Sequence, residues 1–340
     1  ARRRGGEARL PPLPIQYADF AVWQRRWLQG EALHRQQTYW RRRLEGLPVL
    51  ELPADRPRPA QPSYAGGSIR TEIDPILAGR LVALGRTHEC TLYMVLLAAY
   101  QALLGHYAGQ DDIVVGSPVA GRTRTETEGL IGFFVNMLVM RTDLDGDPDF
   151  PGLLDRVREG TLEAYAHQDV PFELVVDDIA PDRVANRHPL FQHHFALQTA
   201  PVSPPGFSGL EVRPIGADAS WVRFDLECHL WHEEDGAIRG AWLYDTDLFD
   251  AGTVEQFEKH FCRLLSVWAD QPGLPLSRAL APGAEEQARI CAAWGRHDRL
   301  TVTDNLAQRF ARSVLAHPDR TALSTENGTF GYDALDRRAN

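Results

Sequence analysis

The strongest constraint on the fold is a strict alternation in which Val222, Phe224, Leu226, Cys228 and Leu230 are apolar and Arg223, Asp225, Glu227 and His229 stand between them. Successive side chains of a strand point to opposite faces, so this run demands a sheet with one apolar face that something else must cover. Asp235-Gly236 then gives a turn signal before a second apolar-rich run over 238–244, and the two runs predict a hairpin. The cover lies in the same sequence. Residues 251–268 and 150–166 read as long amphipathic helices and 76–87 as a shorter one, while Thr91 caps a helix whose stripe is Leu92, Val95, Leu96, Ala99 and Leu103. A mixed sheet with flanking helices is an α/β layered fold.

Upstream, Phe20, Trp23 and Trp27 fall at helical intervals, and a second helix carries Leu33, Tyr39, Trp40 and Leu44 with Arg41, Arg42 and Arg43 on its wet side. Pro53, Pro57, Pro59 and Pro62 exclude regular helix from that stretch, which reads as an extended tether. Further strands are expected over 68–73, 112–115 and 191–198, the second of these broken by Gly116-Ser117-Pro118. Residues 133–140 are apolar apart from Asn136 and read as a strand buried on both faces. The texture loosens at about residue 271, where Pro272, Pro275 and Pro282 precede helices over 285–294 and from 305 to 317. The reading is therefore a main domain over 1–270, a linker over 271–300, and the start of another domain over 301–340, too short to fold well by itself.

Charge and cysteine usage exclude several classes. A net charge of −10 argues against a general nucleic-acid binder, whose affinity rests on neutralised phosphates. No apolar run approaches the roughly 18–20 residues of a membrane-spanning helix. Arg2, Arg3 and Arg4 are followed by Gly5, Gly6 and Glu7, not by the apolar stretch of a secretory signal. Cys90, Cys228, Cys262 and Cys291 lie far apart, as reduced thiols of a cytoplasmic protein would. Cys228, His229 and His232 match no metal-ligand spacing.

Four local sequences go further. Tyr17-Ala18-Asp19-Phe20-Ala21-Val22-Trp23, the run from Ile131 through Gly132, Phe134 and Asn136 to Arg141, and His167-Gln168-Asp169-Val170-Pro171-Phe172-Glu173 resemble, in order, motifs of the condensation domains of nonribosomal peptide synthetases. Met137 stands where threonine is usual. Arg183 to Leu190 resembles a fourth motif in part, keeping Arg183, Arg187 and Pro189 but departing at Val184, Asn186 and His188. Near the end, Phe330-Gly331-Tyr332-Asp333-Ala334-Leu335 resembles the first core motif of an adenylation domain, with Tyr332 and Leu335 as its matching residues.

The resemblance implies a chloramphenicol-acetyltransferase-like lobe and a reaction in which a carrier-bound amine attacks a carrier-bound acyl thioester. It implies no cofactor held by this fragment, phosphopantetheine on partner carrier domains, and ATP with magnesium only for a complete adenylation domain. The implied partners are peptidyl carrier domains, the other condensation lobe and the rest of the adenylation domain. The family's His-His-x-x-x-Asp-Gly motif belongs upstream of Tyr17, where sixteen residues stand, so the chain is expected to be the later lobe and inactive alone. His193-His194 does not replace that motif, since Gln198 and Thr199 occupy the positions of its aspartate and glycine. Neighbouring residues of a strand face opposite ways, so one of the pair is expected buried and the other toward a surface or interface.

Ser117 is the candidate of this lobe nearest the chemistry, weighed equally against a simple turn serine. Gly132, Phe134 and Asn136 are expected to line a tunnel floor, although an amide in a buried strand more often satisfies backbone groups. Asp19 and Trp23 are read as packing between lobes, and His167, with Gln168, Pro171, Phe172 and Glu173, as ordering a loop beneath the tunnel. Arg183 and Arg187 are weaker candidates for carrier phosphates. Two rivals stay open: a non-catalytic module that recruits carriers or tailoring enzymes, distinguished by carrier binding without turnover, and an epimerising or heterocyclising relative, the first of which the adenylation resemblance near the end counts against and the second of which the residues upstream would settle.

Overall fold

A computed structural model describes residues 12–179, 186–198, 221–294, 305–325 and 328–339. The chain divides into two compact units, Ala1–Ala281 and Pro282–Asn340. Ala279 and Leu280 are buried in the first unit's core, so residues 271–281 belong to it and are not linker.

In chain order the first unit contains α1 (Tyr17–Trp27), α2 (Gly30–Arg43), β1 (Gly66–Ile73), α3 (Pro75–Thr87), α4 (Leu92–Ala108), β2 (Asp112–Val119), α5 (Thr125–Glu128), β3 (Asn136–Asp143), α6 (Phe150–Ala166), α7 (Phe172–Ile179), β4 (His193–Gln198), β5 (Leu226–His232), β6 (Ile238–Asp245), α8 (Ala251–Asp270) and α9 (Leu276–Ala279). Caps explain several starts. The Asp74 carboxylate accepts from the backbone of Ile76 and Leu77, the Thr91 hydroxyl from Met94, and Asp149 from Gly152.

The sheet has the order β1-β6-β5-β4-β2-β3. It is antiparallel except where β4 runs parallel to β5 and meets β2 at Gly116↔His194. Helices cover one face. Trp242 of β6 packs against Tyr100 of α4 and Phe261 of α8, and Thr71 of β1 donates to Glu258 of α8 at 2.7 Å. The opposite face carries Ser68, Arg70 and Glu72, all exposed, and farther along it Glu227 and His229. Among the described residues no helix is long and apolar enough to cross a membrane.

Three elements differ from the sequence expectation. β2 continues through Gly116-Ser117-Pro118 to Val119; past Gly116 it keeps β3 as its ladder neighbour while β4 no longer pairs with it, an edge-like setting that tolerates proline. β3 begins only at Asn136, and the apolar residues before it form a loop on which Ile131 is 95% and Phe133 77% exposed. The proline-rich stretch is a strap laid on the first unit. Asp55 and Arg56 donate their backbone N–H to Leu248 O, and Arg58 makes a two-pronged pair with Asp225 at the start of β5.

The second unit holds α10 (Ala284–Trp294), α11 (Leu306–Ala316), β7 (Thr321–Thr325), β8 (Gly328–Gly331) and α12 (Tyr332–Ala339). Asn305 and Gln308 form a reciprocal capping box on α11. Tyr332 opens α12, its backbone N–H donates to Arg320 O, and its ring lies 5.9 Å from that of Phe310, with Leu335 one turn on and half-buried.

Candidate functional site

Three of the four motif stretches meet at one hollow of about 450 Å³ in the first unit. α1 supplies Tyr17, Phe20 and Trp23; the loop before β3 supplies Phe133 and Phe134; and the turn into α7 supplies Gln168, Asp169, Pro171, Phe172 and Glu173. The aromatic wall is held by direct contacts. The Tyr17 hydroxyl donates to Phe133 O at 3.0 Å, its ring meets Phe134 edge-on at 5.1 Å, and Phe20 lies 4.8 Å from Phe134. Arg122 sits over the Phe134 ring at 4.2 Å and Arg124 over Trp23 at 4.3 Å. Gly132 makes this possible, because a Cβ there would run into the Tyr17 ring. Asp19 does not line this wall; its carboxylate accepts from Gln16 N at 2.8 Å and closes the N-terminus of α1.

Asn136 is the fastener of the site. Its Nδ2 donates to Gln168 O and Val170 O, both at 2.8 Å, and its Oδ1 accepts from Phe172 N at 3.0 Å. One side chain thus satisfies three backbone groups of the loop that forms the other wall. The Asn136 amide is spent on the protein, which is the backbone-satisfying alternative weighed above. Asn136→Ala removes all three bonds and should cost about 1–3 kcal/mol, measured as a lower urea midpoint, with faster amide exchange at Gln168, Asp169 and Phe172. An unchanged midpoint and unchanged exchange would show that the loop is held by other contacts.

His167 stands behind the wall. It caps the C-terminus of α6, its Nδ1 lies 2.8 Å from Glu163 O, its ring stacks on Tyr39 at 4.0 Å, and its carbonyl accepts from the Trp40 indole. Every described contact of His167 is structural. Burial raises the Asp169 carboxyl above its ordinary range, against the pull of Arg124 and Arg35. Arg223, unmarked by any motif, also lines the hollow.

The remaining candidates lie elsewhere. Ser117 is 1% exposed on the helix-covered face; its hydroxyl accepts from Tyr93 OH at 2.7 Å and donates to Phe195 O at 2.8 Å. It is neither a turn serine nor a side chain of the hollow. Arg187 forms an ion pair with Glu51, and Pro189 lines a separate hollow of about 250 Å³ beside Arg58, Asn186, His188 and Asp225. Arg183 lies outside the described residues. His193 and His194 face opposite sides of the sheet, as neighbours must, but both are buried, at 0% and 4% exposure. The second is enclosed because Phe224 stacks flat on its ring at 5.4 Å and His229 stands 4.9 Å away. Neither histidine therefore reaches the surface, although His194 does lie on the sheet face opposite the helices.

Compared with known proteins, residues 2–291 match the model of the family described as Condensation domain. The chain belongs to the condensation domain family. One of the linear gramicidin synthase polypeptides of Brevibacillus parabrevis is 42% identical over 335 residues, an alignment that takes in 97% of this chain and 7% of that polypeptide. Surfactin synthase subunit 1 of Bacillus subtilis is 38% identical over 342 residues, covering 100% of this chain and 10% of that protein. This condensation-domain chain therefore spans at most a tenth of either relative's length. Among solved structures, the X-domain from teicoplanin biosynthesis in complex with OxyB superposes with a TM-score of 0.73 at 32% identity, covering 83% of this chain and 64% of that one.

Proposed function

We propose that this chain is the later lobe of a condensation domain in a nonribosomal peptide synthetase and helps join a carrier-bound acyl or peptidyl thioester to a carrier-bound aminoacyl acceptor. The supporting observation is the convergence of 17–23, 131–136 and 167–173 on one hollow, fastened by Asn136, in a chain of the condensation family. In this reaction the acceptor nitrogen attacks the thioester carbon, an oxyanion forms and collapses, the thiolate leaves, and the ammonium gives up a proton. The 340 residues contain no His-His-x-x-x-Asp-Gly. In this reading the proton acceptor is that motif's histidine on polypeptide outside the chain, and the chain alone is inactive.

Phosphopantetheine arms of flanking carriers bring both substrates, so tethering raises their effective concentration and weak intrinsic affinity suffices. Residues 301–340 open an adenylation domain in this reading, and that domain, once complete, uses ATP and magnesium. The assembly works in the cytoplasm.

The test pairs the complete domain, including its upstream residues, with two loaded carriers and reads the product by intact-protein mass spectrometry. We expect condensation by the complete domain, none by the 340-residue chain, and a loss of about tenfold or more with Asn136→Ala in the complete domain. Condensation by the isolated chain above background would overturn the assignment. The likeness to an X-domain whose structure was solved with OxyB supports a second reading, recruitment of a partner without turnover. Stable binding of a loaded carrier or a tailoring enzyme by the complete domain, with no product, would establish it.

A further inference from the structure

On the sheet face opposite the helices, strand geometry assembles a group that no motif marks. Glu227 and His229 are two apart on β5 and so share a face, and His194 of β4 stands opposite Glu227 in the parallel register. One ligating atom from each of the three lies within 4.8 Å of the others. His229 Nε2 and Glu227 Oε2 are 2.8 Å apart, and the second carboxylate oxygen accepts from the backbone N–H of Arg223 at 3.1 Å.

We propose that His194, Glu227 and His229 form a zinc site. Two imidazoles and one carboxylate are a donor set of catalytic-type zinc centres, which leave a fourth position open. The ligands come from two paired strands, not from loops, so their spacing is built in. Zinc–ligand distances of about 2 Å place donor atoms a little over 3 Å apart, so the pair at 2.8 Å is already close to that spacing; on binding, the proton the two atoms share is released to solvent or moves to His229 Nδ1, and His194 draws in. The Arg223 N–H holds the carboxylate from behind, as outer partners of metal ligands do, and Phe224 walls the other side of His194.

His194 Nδ1 is buried with no hydrogen-bond partner, a costly arrangement for a polar atom. His229 is the way in, its side chain 24% exposed against 10% for Glu227. The inference does not rest on the condensation reading.

The full 340-residue chain, stripped with a chelator and dialysed, is titrated with Zn²⁺ against a chromophoric competitor, and separately with Co²⁺ for its visible d–d bands. One equivalent of Zn²⁺ should bind, Co²⁺ should give the intense bands of a four-coordinate site, and the melting temperature should rise with Zn²⁺. His229→Ala and Glu227→Gln should each weaken Zn²⁺ by about tenfold or more and abolish the Co²⁺ bands. His229 is partly exposed, so its truncation is tolerated by the fold, and the metal-free melt of each variant verifies this. Failure of the wild-type chain to retain Zn²⁺, or retention of the same stoichiometry and affinity by both variants, overturns the site.

Discussion

Trp242→Ala should destabilise the protein by about 3–5 kcal/mol, while Trp242→Phe should cost far less. Trp242 is fully buried on β6, paired with Ile69 of β1 and Cys228 of β5, where α4 and α8 close over the sheet. Tyr100 lies 5.5 Å from its ring and Phe261 meets it edge-on at 5.4 Å. Truncation to alanine empties the point where sheet and both helices meet. The neighbours belong to regular elements that cannot collapse inward without breaking ladders, so a cavity remains and adds to the lost transfer energy. The indole Nε1 has no hydrogen-bond partner. Phenylalanine keeps most of the aromatic contact and removes that unsatisfied donor, whose burial costs about 1–3 kcal/mol, so the two terms oppose each other. Urea unfolding of both variants with unchanged slope decides the matter. Equal losses for Ala and Phe would mean that the indole nitrogen is satisfied and the shape of the ring matters less than its polar edge.

That core was legible because its elements are long and strongly periodic. The helix expected over 150–166 is α6, and the alternation from Leu226 with the Asp235-Gly236 turn gives β5 and β6. What escaped depends on contacts across the fold. Residues 133–135 have the composition of a buried strand, yet Tyr17 holds the backbone of Phe133 by a hydrogen bond from 116 residues away, and the segment becomes the wall of a hollow. Gly116-Ser117-Pro118 reads locally as a break, but β3 pairs with every residue of it. Pro53 to Pro62 carries no sign of Asp225 or Leu248, the partners that turn a tether into a strap. The motifs led to the hollow, and most of their members line it. His167 and Asn136 look catalytic as types, and both are spent on backbone groups. His194, Glu227 and His229 share no motif because β4 and β5 are brought together only by the sheet.

Below pH 6.5 the protein should lose stability through His188, at up to about 1.4 kcal/mol per pH unit. Its imidazole sits among the rings of Phe191 at 4.2 Å, Phe224 at 5.1 Å and Phe172 at 5.6 Å, and Nδ1 accepts from the Phe191 backbone at 3.4 Å. Burial holds it down to about 4, with that hydrogen bond pulling the other way. The unfolded chain takes up this proton near 6.5 and the folded chain refuses it until about 4. Stability is therefore whole above 6.5 and falls as the solution is acidified through the interval, by roughly 3 kcal/mol at its lower end. Asp169 and Asp245, both raised by burial, act in the opposite sense at the acid end and temper the fall. Phe172 links this cage to the fastened loop, so protonation loosens the wall of the hollow as well as the core. His188→Phe, compared with the wild type in urea titrations between pH 7 and pH 5, should flatten the profile by about one proton's worth of slope. Superimposable pH profiles for the two proteins would show that His188 already titrates normally in the folded state.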